Sequence, residues 1–324
     1  MSGSIAWKRA LLSGLRFRVL SNEILSHLQH VIETPEHRTA TPNLAGIKYE
    51  LLEEIGRGGM GAVYLVRDRE LQRNVALKVL DILGNQALNA SEARILAYLE
   101  HPGIVPVHDA GTLADGRVYY AMKFVQGRRL DVYVRTHPPL AEMLRVFVRV
   151  CEPVAFAHSQ GVVHRDLKPE NIMTGSFGEV LVLDWGVAKT ASETATQGIV
   201  IGTREYMAPE QAAGNVDQVD AKSDIYALGR ILSYLLSGCC GDAIPRPLSA
   251  IAAKAADPDR AARYTSALDL AADIERYLEG QPVTAYRENF LERSNRLLAR
   301  NKTLVSLLAA YVLMRSVIFL VFRR

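Results

Sequence analysis

The sequence predicts an α+β protein in which a strand-rich N-terminal part precedes a larger, mainly helical part. Two patterns point there. Five short runs rich in β-branched and aromatic residues, at 49–55, 62–67, 75–80, 105–110 and 118–125, are interrupted by one helical segment near Glu92. From Leu140 onward the sequence reads as mostly helical. A third pattern lies apart from both. Residues 303–322 form an almost uncharged apolar run, about 30 Å long as a helix, which predicts a C-terminal transmembrane helix.

Composition narrows the class. A chain of 324 residues with 49% hydrophobic residues suits one domain of ordinary size with extensions at both ends. The net charge of +3 gives no argument for nucleic-acid binding, and none is expected. Cys151, Cys239 and Cys240 have neither metal-ligand spacing nor an even count, which fits a reducing, cytoplasmic setting. Lys8, Arg9, Arg16 and Arg18 interrupt the first apolar residues, so no signal peptide is read. Residues 1–46 form an N-terminal extension. Leu25, Leu28 and Ile32 have helical spacing there, expected as a helix docked on the domain or a partly disordered segment, with a membrane-surface helix as the alternative. Thr34-Pro35 and Thr41-Pro42 mark a linker.

The first strand runs into Ile55-Gly56-Arg57-Gly58-Gly59-Met60-Gly61-Ala62-Val63, a G-x-G-x-x-G pattern. In dinucleotide-binding folds such glycines open a helix. Here a β-branched, aromatic run follows, so the loop joins two strands, and its backbone amides can form a flap over phosphates. The third strand carries Val75-Ala76-Leu77-Lys78, which aims a cation at the same place. Its carboxylate partner is expected on the helix through Ala90-Ser91-Glu92-Ala93-Arg94-Ile95-Leu96, with Glu92 assigned and Glu100 and Glu70 as rivals. The fifth strand holds Val118-Tyr119-Tyr120-Ala121-Met122-Lys123-Phe124-Val125.

The densest chemistry is His164-Arg165-Asp166-Leu167-Lys168-Pro169-Glu170-Asn171. Phosphoryl transfer needs a proton acceptor for the attacking hydroxyl, a cation for the moving phosphoryl group and magnesium ligands. Asp166, Lys168 and Asn171 can supply these within one loop. Asp184 follows Asn171 by thirteen residues, in Val180-Leu181-Val182-Leu183-Asp184-Trp185-Gly186, where a strand end can present its carboxylate to magnesium.

These ordered motifs resemble the bacterial, Hanks-type serine/threonine protein kinases, in their membrane-anchored branch. The resemblance runs from about Tyr49 to Gly280. It implies the two-lobed protein kinase fold, with a small antiparallel β-sheet lobe carrying one helix (about 47–123) and a larger helical lobe (about 124–280). It also implies transfer of the ATP γ-phosphoryl group to protein Ser/Thr hydroxyls, with magnesium, or manganese in its place. Asp166, Lys168, Lys78 and Glu92 would be catalytic. Residues 55–63, Ala76, Lys78, Met122, Lys123, Val125 and Met173 would bind ATP, with Met122 behind the adenine. Asn171 and Asp184 would hold the metal. Trp185 stands where the family has phenylalanine, which changes packing and leaves the carboxylate chemistry alone. Thr190, Ser192, Thr194 and Thr196 would be phosphorylated in the activation segment, which Ala208-Pro209-Glu210 closes, and Thr203 would lie beside Asp166. Glu210 would pair with Arg263, or alternatively Arg260, and Asp224 would steady the catalytic-loop backbone. A homodimer for trans-autophosphorylation would follow. The competing readings are an inactive pseudokinase scaffold, against which the intact Lys78, Asp166 and Asp184 speak, and a small-molecule phosphotransferase, against which the Ala-Pro-Glu segment speaks.

Three further expectations concern local structure. Pro153 lies inside the helix read from Ala141 to Ser159 and should kink it, since an internal proline costs about 3 kcal/mol. The central helix after Asp224 should end near Ser237, and the short stretch to Pro245 leaves no room for the family's docking helix. Leu235 or Leu236 should then be more exposed than in a full-length family member. Finally, Arg315 costs about 2.5–3.5 kcal/mol in the apolar run, against about 0.3–0.6 kcal/mol returned by each of its dozen Leu, Ile, Val and Phe residues. Insertion should win. The basic segment 281–302, with Arg287, Arg293, Arg296, Arg300 and Lys302, favours a cytoplasmic kinase domain on a single-pass cell-membrane protein. Relatives of this branch often carry an extracytoplasmic domain after such a helix, and the sequence ends at Arg324, so no such sensor is expected unless the chain is incomplete.

Overall fold

The computed structural model describes residues 41–58, 61–80, 98–185, 189–190, 203–241, 243–290 and 292–294, with 306–307, 310–315 and 318. Strands β1 (Tyr49–Gly58), β2 (Gly61–Asp68), β3 (Arg73–Leu80), β4 (Val107–Thr112) and β5 (Val118–Lys123) form one antiparallel sheet, ordered β1-β2-β3-β5-β4. Burial follows position. Central β3 is covered on both faces from Val75 to Leu80, whereas edge strand β4 alternates, as a half-solvated strand should. The other edge, β1, is mostly exposed and carries register shifts at Leu51/Glu53 and Glu54/Gly56. Strand β4 starts two residues later than its sequence suggests. Ile104 bridges Val182 and Val105 donates to the Val182 carbonyl, so these two residues serve the other lobe.

The second lobe starts with β6 (Gly127–Arg129), α1 (Leu130–Val134) and α2 (Leu140–Ser159). Then come β7 (Val162–Val163), β8 (Ile172–Gly175), β9 (Val180–Val182) and β10 (Lys189–Thr190). The helices α3 (Pro209–Ala212), α4 (Ala221–Cys240), α5 (Arg246–Ala255) and α6 (Ala267–Leu278) complete it. The short strands pair as β6-β8-β9 and β7-β10, and frame the loops that carry the chemistry.

Helix α2 buries Met143, Leu144, Phe147, Val150, Cys151 and Val154 at helical spacing. It continues as one element through Pro153, a buried residue whose ring packs on Gly103. Helix α4 is capped by the Asp220 carboxylate, which accepts from the Lys222 amide at 2.8 Å. It runs to Cys240, past the expected end at Ser237, because Gly238 is itself packed: a Cβ there would lie 2.6 Å from Val134 Cγ2 of α1. That contact corrects the exposure expected of Leu235 and Leu236, each only 1% exposed. Val134 of helix α1 packs on Gly238, and Cys239 and Ile244 add partial cover. Among the described residues no helix lies between α4 and α5.

Residues 1–40, including the expected N-terminal helix, lie outside the described residues. So does most of 303–322. Among the described residues no helix is long and apolar enough to cross a membrane.

Candidate active site

The site forms where the sheet meets the β8-β9 loops. The β1-β2 register pairs Gly56 with Val63 and Gly58 with Gly61. Gly61 has φ +148°, and a Cβ on it would fall 2.1 Å from the Val79 carbonyl of β3, so only glycine fits. Gly59 and Met60 lie outside the described residues. Ile55 is exposed, and Arg57 is held by Glu54 at 2.6 Å and Tyr64 Oη at 3.1 Å. Ala62 and Ala76 are buried, Val63 half-buried, and the sheet register sets Ala76 opposite Met122. Lys123 donates its amide to the Pro106 carbonyl at 3.0 Å, Val125 is buried, and Met173 on β8 pairs with Leu181.

Lys78 is 5% exposed, and its ammonium donates to the Asp184 carboxylate. Glu92 lies outside the described residues. Glu70 stands instead beside Lys48, and Glu100 is exposed. Burial pushes the Asp184 carboxyl upward, but the charge and hydrogen bond of Lys78 outweigh it and hold the group below its ordinary value. Asp184 is a non-glycine residue at φ 63°, a strained backbone that turns its carboxylate to the cleft. Trp185 is fully buried, donates its indole N–H to the Val182 carbonyl at 3.3 Å and lies 4.6 Å from the His164 ring.

The catalytic loop is organised around Asp166. Its Oδ1 accepts from the Thr203 amide at 2.9 Å and the Thr203 hydroxyl at 3.2 Å. Its Oδ2 accepts from Lys168 Nζ at 2.8 Å, and Lys168 also reaches Thr203 Oγ1 at 3.0 Å. Asn171 donates its side-chain amide to the Asp166 carbonyl at 2.9 Å. Thus Asp166, Lys168, Asn171 and Thr203 share one cluster, with buried Leu167 pinning the loop to the core.

A second carboxylate holds the loop from below. Asp224, in the first turn of α4, accepts from the His164 amide at 2.8 Å and the Arg165 amide at 2.9 Å. These bonds fix Arg165 at φ 70°. His158 contacts the same carboxylate at 2.7 Å. Burial raises the Asp224 carboxyl, but the His158 bond and the surrounding donors prevail and lower it. His158, the bond from Gln211 to the Arg165 carbonyl at 2.6 Å and the link from His164 to the Leu183 carbonyl at 3.0 Å were not read from sequence. His164 alone had a signal, its place in the motif.

Glu210 meets Arg263 in a buried bidentate pair at 2.8 and 2.9 Å, and Ser223 adds a third bond at 2.7 Å. Arg260, the rival, reaches Glu210 only at 4.0 Å and binds Asp220 at 2.5 Å. The backbone of Thr190 pairs with Val162. Ser192, Thr194 and Thr196 lie outside the described residues.

Comparison with known proteins matches residues 49–241 to the protein kinase domain. The chain belongs to the protein kinase domain family. It is 34% identical over 298 residues to the serine/threonine-protein kinase PknD of Protochlamydia amoebophila, covering 72% of this chain and 30% of that one. It is 35% identical over 302 residues to PknD of Chlamydia trachomatis, with 72% and 32% covered. To the serine/threonine-protein kinase PknB of Mycobacterium tuberculosis it is 34% identical over 284 residues, with 76% and 45% covered. The chain therefore spans less than half the length of these relatives.

Proposed function

We propose that this chain is an ATP- and magnesium-dependent serine/threonine protein kinase. The observation that carries this is the Asp166 carboxylate, held at once by Thr203 and Lys168, with Asn171 on the Asp166 backbone carbonyl, beside the Lys78–Asp184 pair. In this reading the substrate hydroxyl donates its proton to Asp166 as its oxygen bonds to the γ-phosphorus of ATP, and ADP leaves with the electrons of the broken P–O bond. Lys168 stabilises charge on the moving phosphoryl group. Lys78 positions the α- and β-phosphates under the flap at Gly56, Gly58 and Gly61. The adenine lies against Ala76, Met122, Val125 and Met173. The donor set fits magnesium: Asp184 offers a carboxylate left 45% exposed, and Asn171, whose amide N–H₂ faces Asp166, offers its amide oxygen. When bound, magnesium supplies charge neutralisation between the phosphates. Glu92 remains the proposed helix partner of Lys78.

Membrane attachment through residues 303–322 belongs to the same proposal, with the kinase domain cytoplasmic. The apolar length of that run, with Arg315 its one charge, supports it, as do Leu307, Val312, Leu313, Met314 and Ile318, each about half exposed or more. Phosphorylation of one copy by another would place activation under membrane-limited encounter.

Purified full-length protein incubated with labelled ATP and magnesium tests the activity. Label on Ser or Thr, absent with Asp166→Asn, is expected. An unlabelled, folded wild-type protein presented with a panel of Ser/Thr peptides would overturn it.

A further inference from the structure

The lobe does not stop at α6. Asp273, on that helix, is fully buried and binds the chain that follows. Its carboxylate accepts from the Thr284 amide at 2.8 Å, the Thr284 hydroxyl at 2.6 Å and the Ala285 amide at 3.0 Å. Tyr264 Oη and Arg276 complete its shell at 2.8 and 2.9 Å. Burial favours the neutral acid, but these donors win and hold the carboxyl low, so the clamp is anionic at neutral pH. Val283 is buried beside it.

The next turn is fixed as firmly. Asn289 and Glu292 cap a helix start reciprocally: the Glu292 amide donates to Asn289 Oδ1 at 2.8 Å, and the Asn289 amide to Glu292 Oε2 at 3.0 Å. Tyr286 Oη donates to the same Glu292 carboxylate at 2.9 Å, and Arg246 of α5 stands 3.6 Å from it. With Glu292 so engaged, Arg287 and Arg293 are exposed, and Phe290 is 82% exposed between them. The sequence continues with Arg296, Arg300 and Lys302, then enters the apolar run. Within 286–294 Glu288 and Glu292 balance the two arginines, and the excess positive charge comes from Arg296, Arg300 and Lys302. An exposed aromatic flanked by arginines, clamped to a rigid lobe and running into that basic and then apolar sequence, fits a lipid surface of negative charge.

We propose that residues 286–294 dock on anionic phospholipid headgroups, with Phe290 among the headgroups and Arg287 and Arg293 on their phosphates. The Asp273 clamp then passes one fixed orientation to the whole lobe, so the cleft faces the cytoplasm at a set height above the bilayer. This rests on the proposed attachment by residues 303–322.

The test uses the full-length chain in nanodiscs of phosphatidylcholine alone or with phosphatidylglycerol, read by amide hydrogen exchange. Exchange across 286–294 should slow in the anionic disc only, and Arg287→Glu with Arg293→Glu should abolish the difference while activity on a soluble peptide stays unchanged. Each basic residue near such a surface contributes a factor of about five, so reversing the pair should cost at least about twenty-five-fold in affinity. Equal exchange in the two discs overturns the proposal. If the chain leaves both discs, attachment by 303–322 has failed instead. Co-sedimentation with preformed vesicles of the same compositions then decides docking: a tenfold preference for the anionic vesicles upholds it, and no preference overturns it.

Discussion

Thr203 gives both its amide and its hydroxyl to one oxygen of Asp166, at 2.9 and 3.2 Å, although 37 residues separate them. The hydroxyl also accepts from Lys168, so one side chain ties the proton acceptor to the phosphoryl-facing cation. Thr203→Val keeps the amide bond and removes the bridge. It should lower kcat by about tenfold, the worth of one hydrogen bond to a charged group, while Thr203→Ser retains most of it. Steady-state kinetics on a peptide substrate would show this, and wild-type kcat in the valine variant would dismiss the bridge.

Lys78→Met removes the buried cation that Asp184 faces. Loss of about 10²–10³ in kcat is expected from removing such a preorganised charge. Asp184→Asn should abolish transfer by weakening magnesium binding, which titration of the metal against nucleotide affinity would reveal. Normal metal dependence in the asparagine variant would contradict the assignment.

The Glu210–Arg263 pair is an anchor of stability. Both side chains are at most 4% exposed, so Arg263→Ala leaves a buried carboxylate unpaired and should cost about 3–5 kcal/mol in urea unfolding. Arg260→Ala, whose pair with Asp220 is solvated, should cost under about 1 kcal/mol. Similar costs for the two would reject this division.

Acid should unfold the helical lobe. Asp224, Glu210 and Asp273 are all held below their ordinary values in the folded state. A carboxyl depressed on folding stabilises above its unfolded pKa of about 4, and that contribution disappears as pH falls through the lower folded value. Thermal stability should therefore be flat from about pH 8 to 5 and decline below about pH 4, and the decline should shrink in Asp273→Asn. A melting temperature that rises on acidification would refute the linkage.

Arg165 lies beside the base and can pair with a phosphate. Alanine at Thr190, Ser192, Thr194 and Thr196 together should reduce activity by about tenfold or more. An unchanged rate would exclude a phosphorylation switch in that segment.

What was legible in sequence was what lies contiguous. Residues 164–171 carry their chemistry in one loop, so residue type and order sufficed. The support of that loop was only half readable, because His158 meets Asp224 across 66 positions and a helical histidine has no distinguishing pattern. Position in the motif favoured Arg263 over Arg260, and burial, 0% against 29% side-chain exposure, separates them in the structure. The short strands β6 to β10 hold two to four residues each, too few for a periodic signal. The burial of Leu235 and Leu236 depended on α1 closing against Gly238, a contact between distant elements that composition does not announce.

Strand β1 has a consequence for how copies of the chain can meet. A bare sheet edge invites another chain to add a strand, and flat, apolar edges do so most readily. This edge is broken by two register shifts and studded with Glu50, Glu53, Glu54 and Arg57. Hydrogen-bond partners on an incoming strand would fall out of step at each shift, and its side chains would meet charge. Copies of the domain at high local concentration are thereby protected from zipping into continuous sheets, and encounters between them are left to other faces.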